Sequence, residues 1–514
     1  MPTPRPLPPP PVPQPPQWAQ LFALPDRPGL PLQVRLRQAL VQAIADGRLP
    51  AGSAMPSSRE LARVLGLSRN TVTAAFEQLV DEGFLESRPR RGMFVAAGAR
   101  AAVALPPLHS DGKPRPPDWP GRVRRSLADR RTLAKPEGWR DYPFPFVYGT
   151  FDAELFPTDD FRECCMRTLA RAQTPSWTVD FDTEDLPDLV EQIRQRVLPK
   201  RGVFALKEEI LVTVGAHQAC HLLADALFDT DTRLGFEEPG HPHARNTFAL
   251  RQPRWTSLTL DDQGLVVDDL PPLDYLFVTP SHQSPTTVTL PLARRQQLLQ
   301  HAEAHDLVII EDDYEAENLY AGAPMPALKS LDKSGRVIYI GSLAKSLAPA
   351  LRLGFIVAPQ ALVAELRLLR HAMVRHPSAF LQQSYALFIS LGHHESHARR
   401  VNQVMQDRLQ RAAAALGQHL PEFEVTLPQG GASLWVRAPD WVDGGELAQI
   451  ARRHGVLIEP GNVFHAQPPY PCPNFRLRLS SIGAAKVGPG IEALGRAVDE
   501  LAAARGARRP ARNA

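Results

Sequence analysis

Lys345 is the residue around which chemistry can be built. It lies in RVIYIGSLAKSLAPALRLG (residues 336–354), just past an apolar run Val337-Ile338-Tyr339-Ile340 that reads as a buried strand. An amine set among small residues past a strand end suits a covalent amine–aldehyde site, because burial lowers a lysine's pKa and leaves a neutral nucleophilic fraction near pH 7. Arg352, seven residues on, offers a planar fork that fits a phosphate. A solvated surface lysine is the ordinary alternative.

Three other stretches offer partners. In EILVTVGAHQA a strand ends at Gly215 and a helix opens at Ala216-His217, where free N–H groups and the helix dipole favour a phosphate. In LVIIEDDYEAE, Asp312 and Asp313 stand at a strand end beside Tyr314. An aspartate facing a pyridine nitrogen keeps it protonated and strengthens the ring as an electron sink. A nearby tyrosine hydroxyl can bond the ring's phenolic oxygen, and Gln283 in TPSHQSPTT can offer an amide to the same oxygen. Read singly, these are a common strand–helix junction and a capped polar turn. Together they lie past the carboxyl ends of strands, where open α/β sheets bind ligands.

The elements that must position these residues alternate from about 141 onward. Strands are expected at Ile210–Val214, Tyr275–Val278, Leu307–Glu311, Val337–Ile340 and Phe355–Val357, with helices over 216–228, 292–305 and 360–373. This predicts an α/β layout with a parallel sheet. A long helix His397–Leu416 and strands near Ala432–Val436 and Phe475–Leu479 predict a small C-terminal subdomain.

Residues 31–96 have a different texture. Leu36, Leu40 and Ile44 recur at helical spacing up to Gly47. Ser57 and Glu60 fit a capping box for a second helix, and Ser68 caps a third over Arg69–Leu79 with Val72, Phe76 and Leu79 as its buried stripe. Phe84–Ser87, a basic turn Arg88–Gly92 and Met93–Val95 then read as a hairpin with a cationic tip. Helix, tight turn, helix and basic hairpin describe a winged helix-turn-helix, whose second helix reads the major groove while the wing touches phosphates. A small helical bundle with a solvated hairpin is the alternative.

Composition bounds the rest. The 514 residues exceed one core, and 43% hydrophobic content is that of an ordinary globular protein. Net charge is only +3, but residues 1–100 hold 12 Arg and no Lys against 7 Asp plus Glu, a basic excess that permits nucleic-acid contact. Cys164, Cys165, Cys220 and Cys472 form no CxxC pair, so neither a metal site nor a disulfide framework is expected, and a reducing cytoplasm fits. No membrane-length apolar run occurs. The expected organisation is a Pro-rich disordered tail (1–25), the DNA-binding head (26–97), a basic linker (98–140), the α/β unit (141–505) and a basic tail (506–514).

The stretch from Pro31 to Val95 closely resembles the GntR-type DNA-binding domain. That resemblance implies DNA contacts from Arg59, Ser68, Arg69, Asn70, Thr71 and Thr73, with Arg90, Arg91 and Gly92 in the wing. Residues from about 145 to 500 resemble the aminotransferase group of fold-type I pyridoxal-phosphate enzymes. The whole chain thus resembles a MocR/GabR-type transcription regulator: a multidomain protein with an N-terminal α+β winged helix-turn-helix and a C-terminal α/β aminotransferase-like domain. The resemblance implies pyridoxal 5′-phosphate as cofactor, with Lys345 forming the internal aldimine, Asp312 on the pyridine nitrogen, and Tyr314 and Gln283 on the phenolic oxygen. Gly215, Ala216, His217, Ser342 and Arg352 would hold the phosphate, and Arg476 in NFRLRLS would receive an effector's carboxylate. Two positions depart from the family pattern: His241 replaces the ring-stacking tyrosine, and Arg478 replaces a glycine. A third, Thr287, replaces the glycine of a Pro-Thr-Gly turn, and a fourth, Ala344, stands before the lysine where serine is common.

The expected function is a cytoplasmic, homodimeric regulator. It would read an operator and sense an amine or amino acid that displaces Lys345 from the cofactor. The effector stays open, among them a pyridoxal compound, γ-aminobutyrate, taurine or a diamino-acid derivative. At most a residual transaminase half-reaction is expected. The alternatives are an aminotransferase with an accessory DNA-binding domain, and a DNA-binding protein whose core senses without a cofactor.

Overall fold

The structure is a computed structural model that describes residues 18, 29–98, 117–124, 126–128, 130–148, 152–180, 184–317, 319–320, 325–343, 345 and 347–506. The chain divides into two compact units, Met1–Arg122 and Val123–Ala514.

In the first unit, α1 (Leu32–Ala45), α2 (Ser58–Leu65) and α3 (Arg69–Asp81) precede a hairpin of β1 (Leu85–Arg88) and β2 (Gly92–Val95). The predicted caps hold. Ser57 accepts from the Glu60 amide at 3.2 Å, and Ser68 accepts from the Thr71 amide at 3.1 Å. Only the serine half of the expected Ser57–Glu60 box is formed among the described residues. Gly66, at φ 64°, closes α2 in the left-handed conformation that a tight turn between helices demands. Leu36, Leu40, Leu61, Val72, Phe76 and Leu79 make the core. Trp18, inside the stretch expected to be a disordered tail, is buried in that same core. A lone indole amid prolines carries no periodic signal in the sequence.

The second unit is built on an eight-stranded sheet. In chain order its strands are β3 (Ile210–Thr213), β4 (Arg233–Glu238), β5 (Arg254–Asp261), β6 (Gly264–Leu265), β7 (Tyr275–Val278), β8 (Val308–Asp312), β9 (Val337–Ser342) and β10 (Gly354–Val357). They lie in the order β3-β10-β9-β8-β7-β4-β5-β6. β4, β5 and the two-residue β6 are additions to the expected strands. RLGFEE lacks an apolar run, and RWTSLTLD is half exposed.

The sheet is mixed, not parallel: β10 runs antiparallel to both β9 and β3. The link from β9 to β10, Leu343 to Leu353, is eleven residues long and among its described residues holds one short turn, Pro349–Leu351. A parallel return needs a crossover of roughly a dozen residues or more, usually a helix. Lys345 lies in this short link.

Side-chain alternation then makes three layers. Leu211, Ile338, Ile340 and Ile356 face α4 (Gly215–Leu227) and α7 (Gln360–Val374). Ile210, Val212, Tyr339, Phe355 and Val357 face α8 (Ala379–Ser390). Between α4 and α7 in the chain come α5 (Pro242–Ala249) and α6 (Leu292–Ala304). After α8, α9 (His393–His419) leads into the smaller subdomain. There a four-stranded sheet, containing Ser433–Arg437 and Asn474–Arg478, packs on α10 (Gly444–Arg453) and α11 (Ala484–Arg505).

The stretch expected to be a linker (98–140) is attached to this unit at its far end. Arg131 Nη1 donates to the Ala466 carbonyl at 3.2 Å, and the Asn246 amide donates to the Arg131 carbonyl at 2.9 Å. Single side-chain bonds of this kind leave no periodic trace in sequence.

At Gly354 a strand and a helix approach closely. A Cβ there would lie 2.9 Å from the Ala216 nitrogen, the Gly215 carbon and the Gly341 oxygen, all backbone. Gly354→Ala is therefore expected to cost about 1–3 kcal/mol by overpacking. It should lower the melting temperature and widen the Gly215–Ala216 junction. A melting temperature equal to wild type would refute the tight approach.

Candidate functional site

The carboxyl ends of β3, β8 and β9 open onto one cavity of about 310 Å³, lined by Gly215, Ala216, His217, His241, Asp312, Tyr314, Ser342, Lys345, Arg352, Arg476 and Arg478 among others. Residues predicted from five separate stretches thus meet at one place.

At one end, Gly215 begins α4 at φ 74°, and a Cβ on it would come 3.2 Å from the Arg352 guanidinium carbon. Glycine is needed there both for its backbone and for the guanidinium. Arg352, itself left-handed at φ 52°, donates through Nη2 to the Val214 carbonyl at 3.3 Å. A cation lying over free helix N–H groups is a cup for a dianion. Ser342 closes its side.

On the floor, Asp312 is buried and its Oδ1 has no hydrogen-bond partner among the described residues. Burial pushes its carboxyl up, with Lys345 pulling the other way. Asp313 points elsewhere: Arg201 holds it at 2.8 Å and the Tyr339 hydroxyl donates to it at 2.9 Å. Strand alternation separates two adjacent carboxylates that sequence could not rank.

Lys345 Nζ lies 3.8 Å from the centre of the Tyr314 ring and 4.0 Å from Glu315 Oε1. Burial lowers the amine to about 8, against the opposing pull of Glu315. Glu315 is itself pushed up by burial, but Arg478 and Lys345 prevail and hold it at about 2. Arg478, where glycine was expected, donates to Glu315 and also to Ser433 and Ser480, each at 3.1 Å. Glu315 also accepts from the Ala432 amide at 3.0 Å, at a strained φ of 59°.

Arg476 bonds Glu459 through Nε at 2.7 Å, and Glu459 accepts the Tyr148 amide at 2.8 Å. That Nε bond is the one hydrogen bond to Arg476 among the described residues, so its two-Nη edge is left for the cavity.

His241 is on the wall as expected, held as the N-cap of α5 by accepting from the Ala244 amide at 3.3 Å. Burial, with His243 and Lys345 nearby, holds its ring neutral. His217 is pushed down to about 4, again chiefly by burial.

Gln283 does not fill the place expected of it. Its amide donates to Glu237, Pro239 and Ser284, its oxygen accepts from Thr286, and it does not line the cavity. Its neighbour Ser284 does. The turn it braces includes Thr287 at φ 65°, keeping the left-handed backbone usual for glycine. Tyr148, Leu133, His243, Ser284 and Glu315 also wall or flank the cavity and had no sequence signal beyond their residue type.

In the first unit Arg59 is exposed in the first turn of α2, while around the start of α3 Ser68, Arg69 and Asn70 are exposed and Thr71 and Thr73 half-buried. The Ser68 and Thr71 hydroxyls share a 2.8 Å hydrogen bond. Arg90, at φ 61°, and Arg91 are exposed at the hairpin tip beside Gly92.

A family model for aminotransferase class I and II matches residues 155–494, and one for bacterial regulatory proteins of the gntR family matches residues 32–95. HTH-type transcriptional regulator TauR of Rhodobacter capsulatus is 40% identical, over 91% of this chain and 96% of that protein. The probable rhizopine catabolism regulatory protein MocR of Rhizobium meliloti is 32% identical, over 85% of this chain and 88% of that protein. The chain belongs to the MocR-type transcription regulators. The solved structure of LysN, an α-aminoadipate aminotransferase from Thermus thermophilus, superposes with a TM-score of 0.67 at 26% identity, over 75% of this chain and 97% of that one. This MocR-type regulator therefore binds DNA through a winged head, and its cofactor is pyridoxal 5′-phosphate. The cavity fits that group: a buried carboxylate oxygen lacks a partner, a guanidinium covers a helix N-terminus, and a lysine of lowered pKa lies within the same walls.

Proposed function

We propose that this regulator senses a small amine or amino acid at the Lys345 cavity and converts its arrival into a change in operator affinity. When bound, the cofactor supplies an aldehyde that joins primary amines and a ring that draws electrons. Arg352, Ser342 and the amides of Gly215, Ala216 and His217 hold its phosphate. Asp312 Oδ1 would accept a hydrogen bond from the cofactor's protonated ring nitrogen, and that opposite charge would keep the carboxylate ionised despite burial. Tyr314 and Ser284 bound the ring's polar edge, and neutral His241 walls its face. Lys345, neutral in part at pH 7, is the residue an incoming amine replaces. The observation that carries the reading is Lys345, the unpartnered Asp312 oxygen and the Arg352 guanidinium facing one cavity.

Arg476 receives the effector's carboxylate on its free edge, where a planar fork fits two oxygens. Release of Lys345 alters its pairing with Glu315 and hence with Arg478, so free and effector-bound cavities differ in charge arrangement. An effector shifts the head only if it binds two arrangements unequally. Two copies of the chain, acting in the cytoplasm, would place two heads on two half-sites. No helix among the described residues is long and apolar enough to cross a membrane.

The deciding experiment titrates the cofactor-loaded protein with a panel of amines while visible absorbance and operator affinity are followed together. Amines that change the spectrum but leave operator affinity untouched would sink the proposal. Steady turnover with added 2-oxo acids at enzyme-like rates would favour an aminotransferase instead, a reading supported by the likeness to LysN.

Arg476→Lys separates charge from geometry. The cation still faces Glu459, but the fork is gone. The cofactor spectrum should persist, while half-saturation by carboxylate-bearing amines rises about tenfold or more, as expected for losing a charge-assisted bond. Amines without a carboxylate should be unaffected. Equal weakening of both kinds would remove the assigned role.

A further inference from the structure

A second concavity of the aminotransferase-like unit carries positive charge that cofactor and effector do not use. It has a volume of about 490 Å³, and Arg130, Arg131, Arg245, His465 and Trp255 are in its wall, which contains no Asp or Glu among the described residues. Arg245 projects from α5 and is only 8% exposed. Its Nη2 donates to the Val463 carbonyl at 2.8 Å, whereas Nη1 is buried with no partner among the described residues. The Trp255 Nε1–H is buried and unpartnered too. The nearby carboxylate, Glu238, is already engaged: it pairs with His465 at 3.0 Å and accepts the Ala466 amide at 2.9 Å. Burial lowers the Arg245 pKa, with Glu238 in partial opposition and Arg131 and Arg130 adding to the lowering.

Two buried donors without acceptors cost free energy unless an acceptor arrives, and a buried cation costs more. Water can solvate part of such a site, but arginines gathered where the nearby carboxylate of Glu238 is already engaged select for negative charge. The indole, with Ala249 and Pro253 beside it, adds an apolar face.

We infer that this concavity binds a small oxyanion, a carboxylate or phosphate group on a compact metabolite, distinct from the effector at Lys345. Its oxygens satisfy Arg245 Nη1 and the Trp255 N–H, and Arg130 closes over its charge. The site is also a fastening point. Arg131 is held here by Asn246 and Ala466, at the end of the stretch that leads back towards the head. Occupancy therefore holds residues 130–131 against α5. The same helix is capped by His241 at the cofactor cavity, so the two sites share one rigid element.

The test is equilibrium dialysis of the full chain saturated with pyridoxal phosphate, so that the phosphate cup at Arg352 is already filled. Inorganic phosphate, sulfate and citrate serve as separate probes. One saturable equivalent per chain beyond the cofactor is expected for at least one probe. Which probe binds most tightly tells phosphate from carboxylate recognition. Arg245→Gln and Arg130→Gln should each weaken that binding at least tenfold without altering the visible absorbance of the cofactor. Arg130 is exposed, so its variant decides the matter if Arg245→Gln does not fold. No saturable binding of any probe below about 10 mM, the range of very weak association, would overturn the inference. So would binding that Arg130→Gln leaves unchanged.

Discussion

Lys345→Ala will give a folded protein that has lost all covalently held cofactor, seen as complete loss of the visible band that survives gel filtration of the wild type. Among the described residues Lys345 is the one lysine in the cavity wall, so no second wall amine is placed to substitute. Its side chain is 19% exposed, with Glu315 at 4.0 Å, and removing it deletes no hydrogen bond of the sheet. The same residue predicts a pH profile. Burial favours the neutral amine, and the amine's value falls to about 8 although Glu315 favours the charged form. The neutral form increases as pH rises through that value. At pH 7 about one molecule in ten has a neutral amine, against about one in three thousand for an ordinary lysine. In cofactor-free protein, an amine-directed reagent should therefore label Lys345 with a midpoint near pH 8, detected by peptide mass mapping. A midpoint near 10, or a visible band retained in Lys345→Ala, would contradict the covalent site.

How much of this could be read from sequence depends on the range of the interaction. Lys345, Asp312, Arg352 and the Gly215 junction each carry a local signature, a strand end followed by small or charged residues, and strand ends converge in an open α/β sheet. They meet in one cavity as expected. Gln283 shows the limit. The order of residues brought it to the right turn, but the backbone aimed its amide at Glu237 and left Ser284 facing inward. Asp312 and Asp313 differ only in which face of a strand they point from. The antiparallel β10 follows from the length of one loop, a signal present in the sequence but outweighed by the strand–helix alternation.

Pairs far apart in the chain were not readable at all. Glu315 and Arg478 are 163 residues apart, and neither has a motif that names the other. Their pairing gives the odd arginine a physical reason. With glycine at 478, Glu315 would be a buried carboxylate left with Lys345 and the Ala432 amide, and the lysine's charged form would be favoured more strongly. The arginine competes for that carboxylate and so helps keep the amine available. The buried oxyanion concavity is of the same kind: Arg130, Arg245 and His465 come together only when the chain folds.

Substitutions in the DNA-binding head should divide into two classes by mechanism. Arg69 opens α3 and is exposed, with its helix start fixed by the Ser68 cap rather than by its own side chain. Arg69→Ala should leave the head folded, because the core stripe of Val72, Phe76 and Leu79 and the 3.1 Å cap bond do not involve it. If the guanidinium reads a base edge, its loss costs about 1–3 kcal/mol per head and shrinks the gap between operator and random DNA. A protein with two heads on two half-sites feels this twice, which makes it the largest expected loss in operator affinity. Arg90→Ala, at the exposed wing tip, should instead weaken operator and random DNA alike and reduce the slope of log affinity against log salt by about one. Both variants should keep the visible band of the cofactor, since neither belongs to the unit that holds it. Fluorescence-anisotropy titrations at several salt concentrations separate the two effects. Were Arg69→Ala to lower both affinities equally and flatten the salt slope, α3 would be touching the backbone, and base reading would have to come from another element.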